Sequence, residues 1–212
     1  LRLIGMKSEY GALPRIEEKG LRNCQYEAEV NFENSIRKGH KKALAVLATG
    51  SGKTYLACLA AYRQLNYTQT GRVLFLADRN NLARQAETEF KLFDRTEKQQ
   101  PLNDLYTINR LTKPDKINSD IVISTIQKLF AVLTGQKIDD IDEDEEDEKS
   151  FISDEKNEPE VKLSDNLKLS PDHFQFIIVD ECHRSIYGKW QSVLKYFKGA
   201  KILGLTATPT PE

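Results

Sequence analysis

Cysteine is scarce in this chain. Its three residues, Cys24, Cys58 and Cys182 among 212, stand far apart and lack the paired spacing of a zinc site or a disulfide framework. A reduced, cytosolic setting is the expectation. Long apolar runs are missing as well. The longest, Ala43 to Ala48 and Phe176 to Val179, fall far short of the roughly 18 residues that a membrane-spanning helix needs. A charged-then-apolar leader is also lacking. The chain begins at Leu1 and stops at Pro211-Glu212 directly after a motif, so both ends are expected to be cut from a longer polypeptide. Nor does charge of one sign prevail, with 31 basic and 32 acidic residues giving a formal net charge of -1.

That balance conceals a split. Residues 137–168 carry 14 Asp or Glu against five Lys, a net of -9, which leaves +8 for the remainder. A basic face for a polyanion is therefore compatible with the near-neutral total. With 39% hydrophobic and 30% charged residues, the chain is rich enough in apolar side chains to bury a good core, which excludes disordered, collagenous and membrane classes. Residues 135–170 show no periodicity and contain the acidic run Asp139 to Glu148. They are expected to form a disordered surface insertion.

Elsewhere, short β-branched runs alternate with stretches of helical period, the pattern of βα units around a mostly parallel sheet, so the fold class is α/β. Helices are predicted near Gln25–Arg37, Lys53–Leu65 and Leu82–Phe93, the last from apolar spacing at Leu82, Gln85, Ala86, Phe90 and Phe93. A further helix is predicted to end near Leu133. Strands are predicted at Ala43–Ala48, Arg72–Ala77, Ile121–Ser124, Phe174–Val179 and Lys201–Leu205, with a short edge strand at Leu105–Asn109.

Three blocks carry chemistry. Thr49-Gly50-Ser51-Gly52-Lys53-Thr54 follows a buried strand and opens a helix. Glycines there let backbone N–H groups converge on phosphate oxygens, the helix amino terminus adds partial positive charge, and Lys53 neutralises the β and γ phosphates. Thr54 is positioned to bind Mg²⁺ through its hydroxyl. The strict G-x-x-x-x-G-K-[ST] pattern has Leu47 at its first glycine position, which leaves the phosphate-facing half intact. The second block, Ile177-Ile178-Val179-Asp180-Glu181-Cys182-His183, is an apolar strand ending in adjacent carboxylates. Phosphoryl transfer needs one carboxylate to hold a metal and one to activate water, so Asp180 is the expected Mg²⁺ holder and Glu181 the base. His183, beside Glu181, suits a coupling role. The third block, Leu205-Thr206-Ala207-Thr208-Pro209, ends another strand, and the hydroxyls of Thr206 and Thr208 can link nucleotide state to loop position.

In this order the blocks resemble motifs I, II and III of superfamily-two helicases and translocases, with Asp180-Glu181-Cys182-His183 as a DECH variant of the DEAD/DEAH box. The resemblance covers essentially the whole chain and implies a RecA-like P-loop NTPase domain using ATP and Mg²⁺. Leu21-Arg22-Asn23-Cys24-Gln25 resembles the family's glutamine motif, which implies that Gln25 reads the adenine edge. More narrowly, Phe75 to Leu82 and Val179 to Trp190 resemble the motor (R) subunit of type I restriction enzymes, as does the segment Ser170 to Ile178. That resemblance implies ATP-driven translocation on double-stranded DNA. It also implies partnership with modification and specificity subunits, and DNA-backbone contacts by loops containing Arg79, Thr125 and Gln127. Read alone, Asp78-Arg79 is equally a surface ion pair, and Thr125 or Gln127 a helix cap. Tyr187 and Trp190 fit helix packing better than base stacking.

The nuclease domain and the second RecA-like domain of such motors lie outside this sequence. No paired-carboxylate nuclease pattern stands in residues 1–40, and the arginine that the second domain supplies is worth about 10³ to 10⁵ in rate in related systems. The isolated chain is therefore expected to bind ATP, hydrolyse it poorly and not cut DNA. A strand-separating helicase or repair motor with the same core, and a nucleotide-switched binding module, remain open alternatives.

Overall fold

The computed structural model describes residues 13–136, 169–184 and 188–208. The acidic stretch 137–168, most of the expected insertion, lies outside these residues, as do Tyr187 and Pro209. Helix α1 (Asn23–Arg37) leads into β1 (Lys42–Val46), followed by α2 (Lys53–Tyr67), β2 (Val73–Ala77) and α3 (Asn80–Leu92). One turn of helix, α4 (Leu102–Leu105), precedes β3 (Ile108–Arg110), and a 3-10 turn at Pro114–Asn118 precedes β4 (Ile121–Thr125) and α5 (Ile126–Thr134). Strand β5 (Phe176–Val179) runs into a 3-10 turn at Cys182–Arg184, and α6 (Gly188–Tyr196) and β6 (Lys201–Thr206) complete the described chain.

All six strands are parallel, in the order β1-β6-β5-β2-β4-β3. The period-2 alternation of the inner strands splits their side chains between two cores, whereas β1, expected to be buried, is an edge strand that leaves Leu44 and Val46 exposed. Val73, Phe75, Ala77, Phe176, Ile178, Leu203 and Leu205 face α1, α2 and α3. Leu74, Leu76, Val122, Ile177, Val179 and Ile202 face α5, α6 and Phe197. A sheet covered on both faces reads as continuous apolar runs, which is why β2, β4 and β5 are buried along their whole length. Aromatic pairs fix the layers: Phe32 of α1 stacks on Phe176 at 5.4 Å, and Phe90 of α3 meets Phe75 edge-on at 5.3 Å. Trp190 is buried in the second core, a packing residue.

The contact between α1 and α2 also buries charge. Arg63 Nε lies 2.5 Å from Glu33 Oε1 and 4.0 Å from Glu29 Oε1, and Arg63 Nη2 donates to the Pro14 carbonyl at 2.6 Å. Glu29 is wholly buried, and neither of its oxygens has a hydrogen-bond partner.

Three further expectations shift. The edge strand is β3 at Ile108–Arg110, because Pro101 opens α4 over the first residue of the predicted strand, Leu105. The buried stripe of α3 is Asn80, Ala83, Ala86 and Phe90, so Gln85 faces solvent. Strand β5 begins at Phe176, two residues later than expected, and the Gln175 side chain just before it accepts hydrogen bonds from Gly71 N at 3.0 Å and Arg72 N at 2.9 Å.

Candidate nucleotide site and its neighbouring loops

The carboxyl ends of β1, β6 and β5 are adjacent, and each carries one of the three sequence blocks. After β1, Leu47 continues the ladder by donating to the Thr206 carbonyl at 2.9 Å and is buried in the first core. This explains the missing first glycine: position 47 is still strand and core, and the turn begins after it. Gly50 and Gly52 then adopt φ of 75° and 86°, left-handed values that glycine reaches without strain. Gly52 is the residue before α2, so Lys53 and Thr54 form the first helical turn. Ser51 Oγ is buried in this loop without a hydrogen-bond partner.

Gln25 sits in the first turn of α1, where its Oε1 accepts from Arg22 N at 3.0 Å, half of a capping box. Its Nε2 donates to the Ser51 carbonyl at 3.0 Å and the Gly52 carbonyl at 3.1 Å. Arg22 Nη1 donates to the Gly50 carbonyl. Gln25, the glutamine expected at the adenine edge, is thus tied to the turn between β1 and α2, and Arg22, which was given no role from the sequence, is tied to the same turn.

At the end of β5, Asp180 N bonds the Leu76 carbonyl at 2.9 Å, and Asp180 Oδ1 accepts from Glu181 N at 3.1 Å. Burial, and then the Glu181 charge, push the Asp180 carboxyl up to about 6. Glu181 takes a φ of 47°, a strained value for a side-chain-bearing residue. From this turn Glu181 Oε1 lies 3.7 Å from Lys53 Nζ, and Oε2 lies 3.5 Å from His183 Nδ1. The same His183 nitrogen is 3.1 Å from Thr206 Oγ1, and that hydroxyl reaches the Thr208 carbonyl at 3.1 Å and accepts from Thr208 N at 3.2 Å. A continuous set of polar contacts thus runs from the phosphate loop through the carboxylates to the last strand. Gly204 permits it, since a Cβ there would stand 2.8 Å from Cys182 Sγ.

The donor set suits a nucleotide phosphate with Mg²⁺. The orphaned Ser51 hydroxyl, the Lys53 ammonium and the left-handed glycines converge on one end of α2, with two carboxylates facing them. Among the described residues no group of three or more His, Cys, Asp or Glu is arranged to hold a metal ion by itself. Magnesium bound through one or two carboxylates and substrate phosphates requires none. Among the same residues no helix is long and apolar enough to cross a membrane. None of the three cysteines is in a disulfide: Cys58 is buried, Cys182 is partly buried and pushed up to about 11 by that burial, and Cys24 is exposed.

The loops expected at DNA follow β2 and β4. Arg79 is partly exposed, with Nε 3.5 Å from Asp78 Oδ2, so the surface ion pair is present. Thr125 is 1% exposed and caps α5, its Oγ1 accepting from Lys128 N at 3.5 Å, so its side chain points inward. Gln127 is partly buried, and its Oε1 has no partner.

A glycine-bearing turn after the first strand of an all-parallel sheet, faced by carboxylates on the strand two places away, is the arrangement of a RecA-like P-loop domain, and the order of the three blocks is that of the superfamily-two helicase class. Within that class the chain belongs to the family described as "Type III restriction enzyme, res subunit", which matches residues 18–211. It is 30% identical over 195 residues to the type I restriction enzyme EcoAI endonuclease subunit of Escherichia coli, covering 90% of this chain and 20% of that one. It is 35% identical over 119 residues to the EcoKI endonuclease subunit of Escherichia coli strain K12, covering 55% of this chain and 10% of that one. The Pyrococcus furiosus Hef helicase domain shares the fold, with a TM-score of 0.55 at 22% identity over 91% of this chain and 35% of that one. The chain therefore spans a fifth or less of the length of these two curated relatives.

Proposed function

We propose that this chain is the ATP-binding motor domain of a type I restriction enzyme R subunit, coupling ATP hydrolysis to translocation on double-stranded DNA. The observation that carries the reading is the run of contacts from Lys53 through Glu181 and His183 to Thr206, which joins a phosphate-binding loop to a strand-end threonine. The likeness to type I endonuclease subunits supports it.

In this reading Lys53 and the backbone of Thr49 to Gly52 hold the ATP phosphates. Thr54 and Asp180 hold Mg²⁺, which supplies charge neutralisation on the phosphate oxygens. Glu181 orients and deprotonates the attacking water, having been released from Lys53 when that ammonium turns to phosphate. His183, Thr206 and Thr208 pass the change at Glu181 to the end of β6. Arg79 and the loop around Thr125 and Gln127 grip the DNA backbone, which gives traction without sequence information. A second RecA-like domain supplies the missing arginine, a nuclease domain cuts, and modification and specificity subunits choose the site.

The test is ATP turnover by the whole polypeptide carrying this domain, against linear duplexes of increasing length, with Lys53→Ala alongside. Turnover that requires duplex, responds to its length and disappears in the variant is the expected result. Turnover indifferent to DNA would overturn the motor reading in favour of a nucleotide-switched binding module.

A further inference from the structure

The carboxyl ends of β2, β4 and β3 lie side by side, with Ala77 opposite Thr125 and Ile123 opposite Arg110. Each sends a polar group to one place. Asn80, the first residue of α3, is buried, and its Oδ1 accepts from Arg110 Nη1 at 3.0 Å and from Lys128 Nζ at 3.3 Å. Two turns further along α3, Glu87 lies 3.4 Å from Arg110 Nε and 2.7 Å from Lys91 Nζ. One amide oxygen therefore holds cations from an edge strand and from a helix on the other side of the sheet.

The residues so joined flank the two loops expected at DNA. Arg79 directly precedes Asn80, and Gln127 directly precedes Lys128. Lys128 is 2% exposed, too deep for its ammonium to meet a phosphate from solvent. Asn80 Nδ2 is buried with no hydrogen-bond partner, so what the fold uses at this position is the carbonyl oxygen.

We infer that Lys128 and Asn80 are positioning residues: their contact fixes the spacing between the loop after β2 and the loop after β4, so that both engage the DNA backbone at once. This inference rests on the DNA-motor reading above. Two weak grips held at a fixed distance act as one bivalent grip, and losing the spacing lowers affinity without removing either grip.

The test uses the whole polypeptide and reads the duplex concentration giving half-maximal ATPase stimulation. Lys128→Met is expected to raise it about tenfold, with turnover at saturating duplex and nucleotide affinity unchanged and with the salt dependence of binding as steep as before, because no phosphate contact is lost. Asn80→Ala also frees Arg110 and should be at least as impaired, and the double variant should fall short of the sum of the two single effects, because the Asn80–Lys128 contact is lost in both. Asn80→Asp keeps the acceptor oxygen and should behave as the unaltered protein, which separates loss of the contact from loss of the fold. Additive single effects, an Asn80→Asp variant as impaired as Asn80→Ala, or a salt slope reduced by about one phosphate in Lys128→Met alone would each overturn the inference. If the unaltered protein shows no stimulation by duplex, the motor reading fails instead, and that outcome is visible before any variant is made.

Discussion

Replacing Glu29 by Gln should make the protein more stable at neutral pH, increasingly so as pH rises. Burial first, then the charge of Glu33, push the Glu29 carboxyl up to about 8, while Arg63 pulls it the other way. The folded chain thus keeps a proton that the unfolded chain, titrating near 4.5, has released. Stability from this group is complete below 4.5 and drains away as pH climbs toward 8, at about 1.4 kcal/mol per pH unit. Glutamine imitates the protonated acid and cannot lose that proton. Asp180, pushed up to about 6, His173, held below its usual 6.5, and Lys201, pulled down to about 8, titrate close to the same range, but they are common to the variant and the unaltered chain. Between pH 6.5 and 8 the advantage of Glu29→Gln should therefore grow by about 1.5 kcal/mol. Urea unfolding of the variant and the unaltered chain at several pH values across that window measures it, because the remaining titrations cancel in the difference. A difference that stays flat would mean that Glu29 ionises at an ordinary value and that the buried arrangement of Glu29, Glu33 and Arg63 is wrong.

Three further outcomes are expected. Gly52→Ala forces a left-handed φ on a residue with a side chain and drives its Cβ into Gln25 Nε2. It should cost about 1–2 kcal/mol and lower the melting temperature by about 3–6 °C, with weakened nucleotide binding by titration calorimetry. Thr206→Val removes the hydroxyl that meets His183 Nδ1 at 3.1 Å. DNA-stimulated turnover should fall by about tenfold while nucleotide affinity changes by less than about threefold, since coupling rather than binding is lost. Phe32→Ala opens a cavity beneath Phe176, and calorimetric melting should report about 3–5 kcal/mol of lost stability.

The parts of the fold legible in the sequence are those written in local patterns. β2, β4 and β5 announce themselves because a parallel strand covered on both sides must be apolar throughout. The Gly-rich turn and the paired carboxylates stand out because their chemistry requires those residue types at strand ends. The burial of Glu29 went unread, although it shares a helical face with Phe32 and Ile36, because a carboxylate at that position reads as solvated until Arg63 is placed beside it. What escaped depends on contacts between distant segments. Nothing local says that Gln25 reaches the carbonyls of Ser51 and Gly52, or that Lys128 finds Asn80 across 48 residues, whereas the capping role of Thr125 is a local signal and was read. Glu181 in a left-handed turn contradicts its own propensity, and only the approach to Lys53 and His183 gives that conformation a use.

The unequal exposure of the three thiols turns this chain into its own reporter. Cys58 is sealed in the core, and Cys182 is half covered and held largely as the unreactive thiol at neutral pH, which leaves Cys24 open to solvent. A maleimide dye therefore goes to Cys24 first, without any cysteine having to be engineered in or out. Its neighbour in sequence is Gln25, whose amide holds the phosphate loop, so emission from a dye at that position registers rearrangement of the loop when a nucleotide arrives.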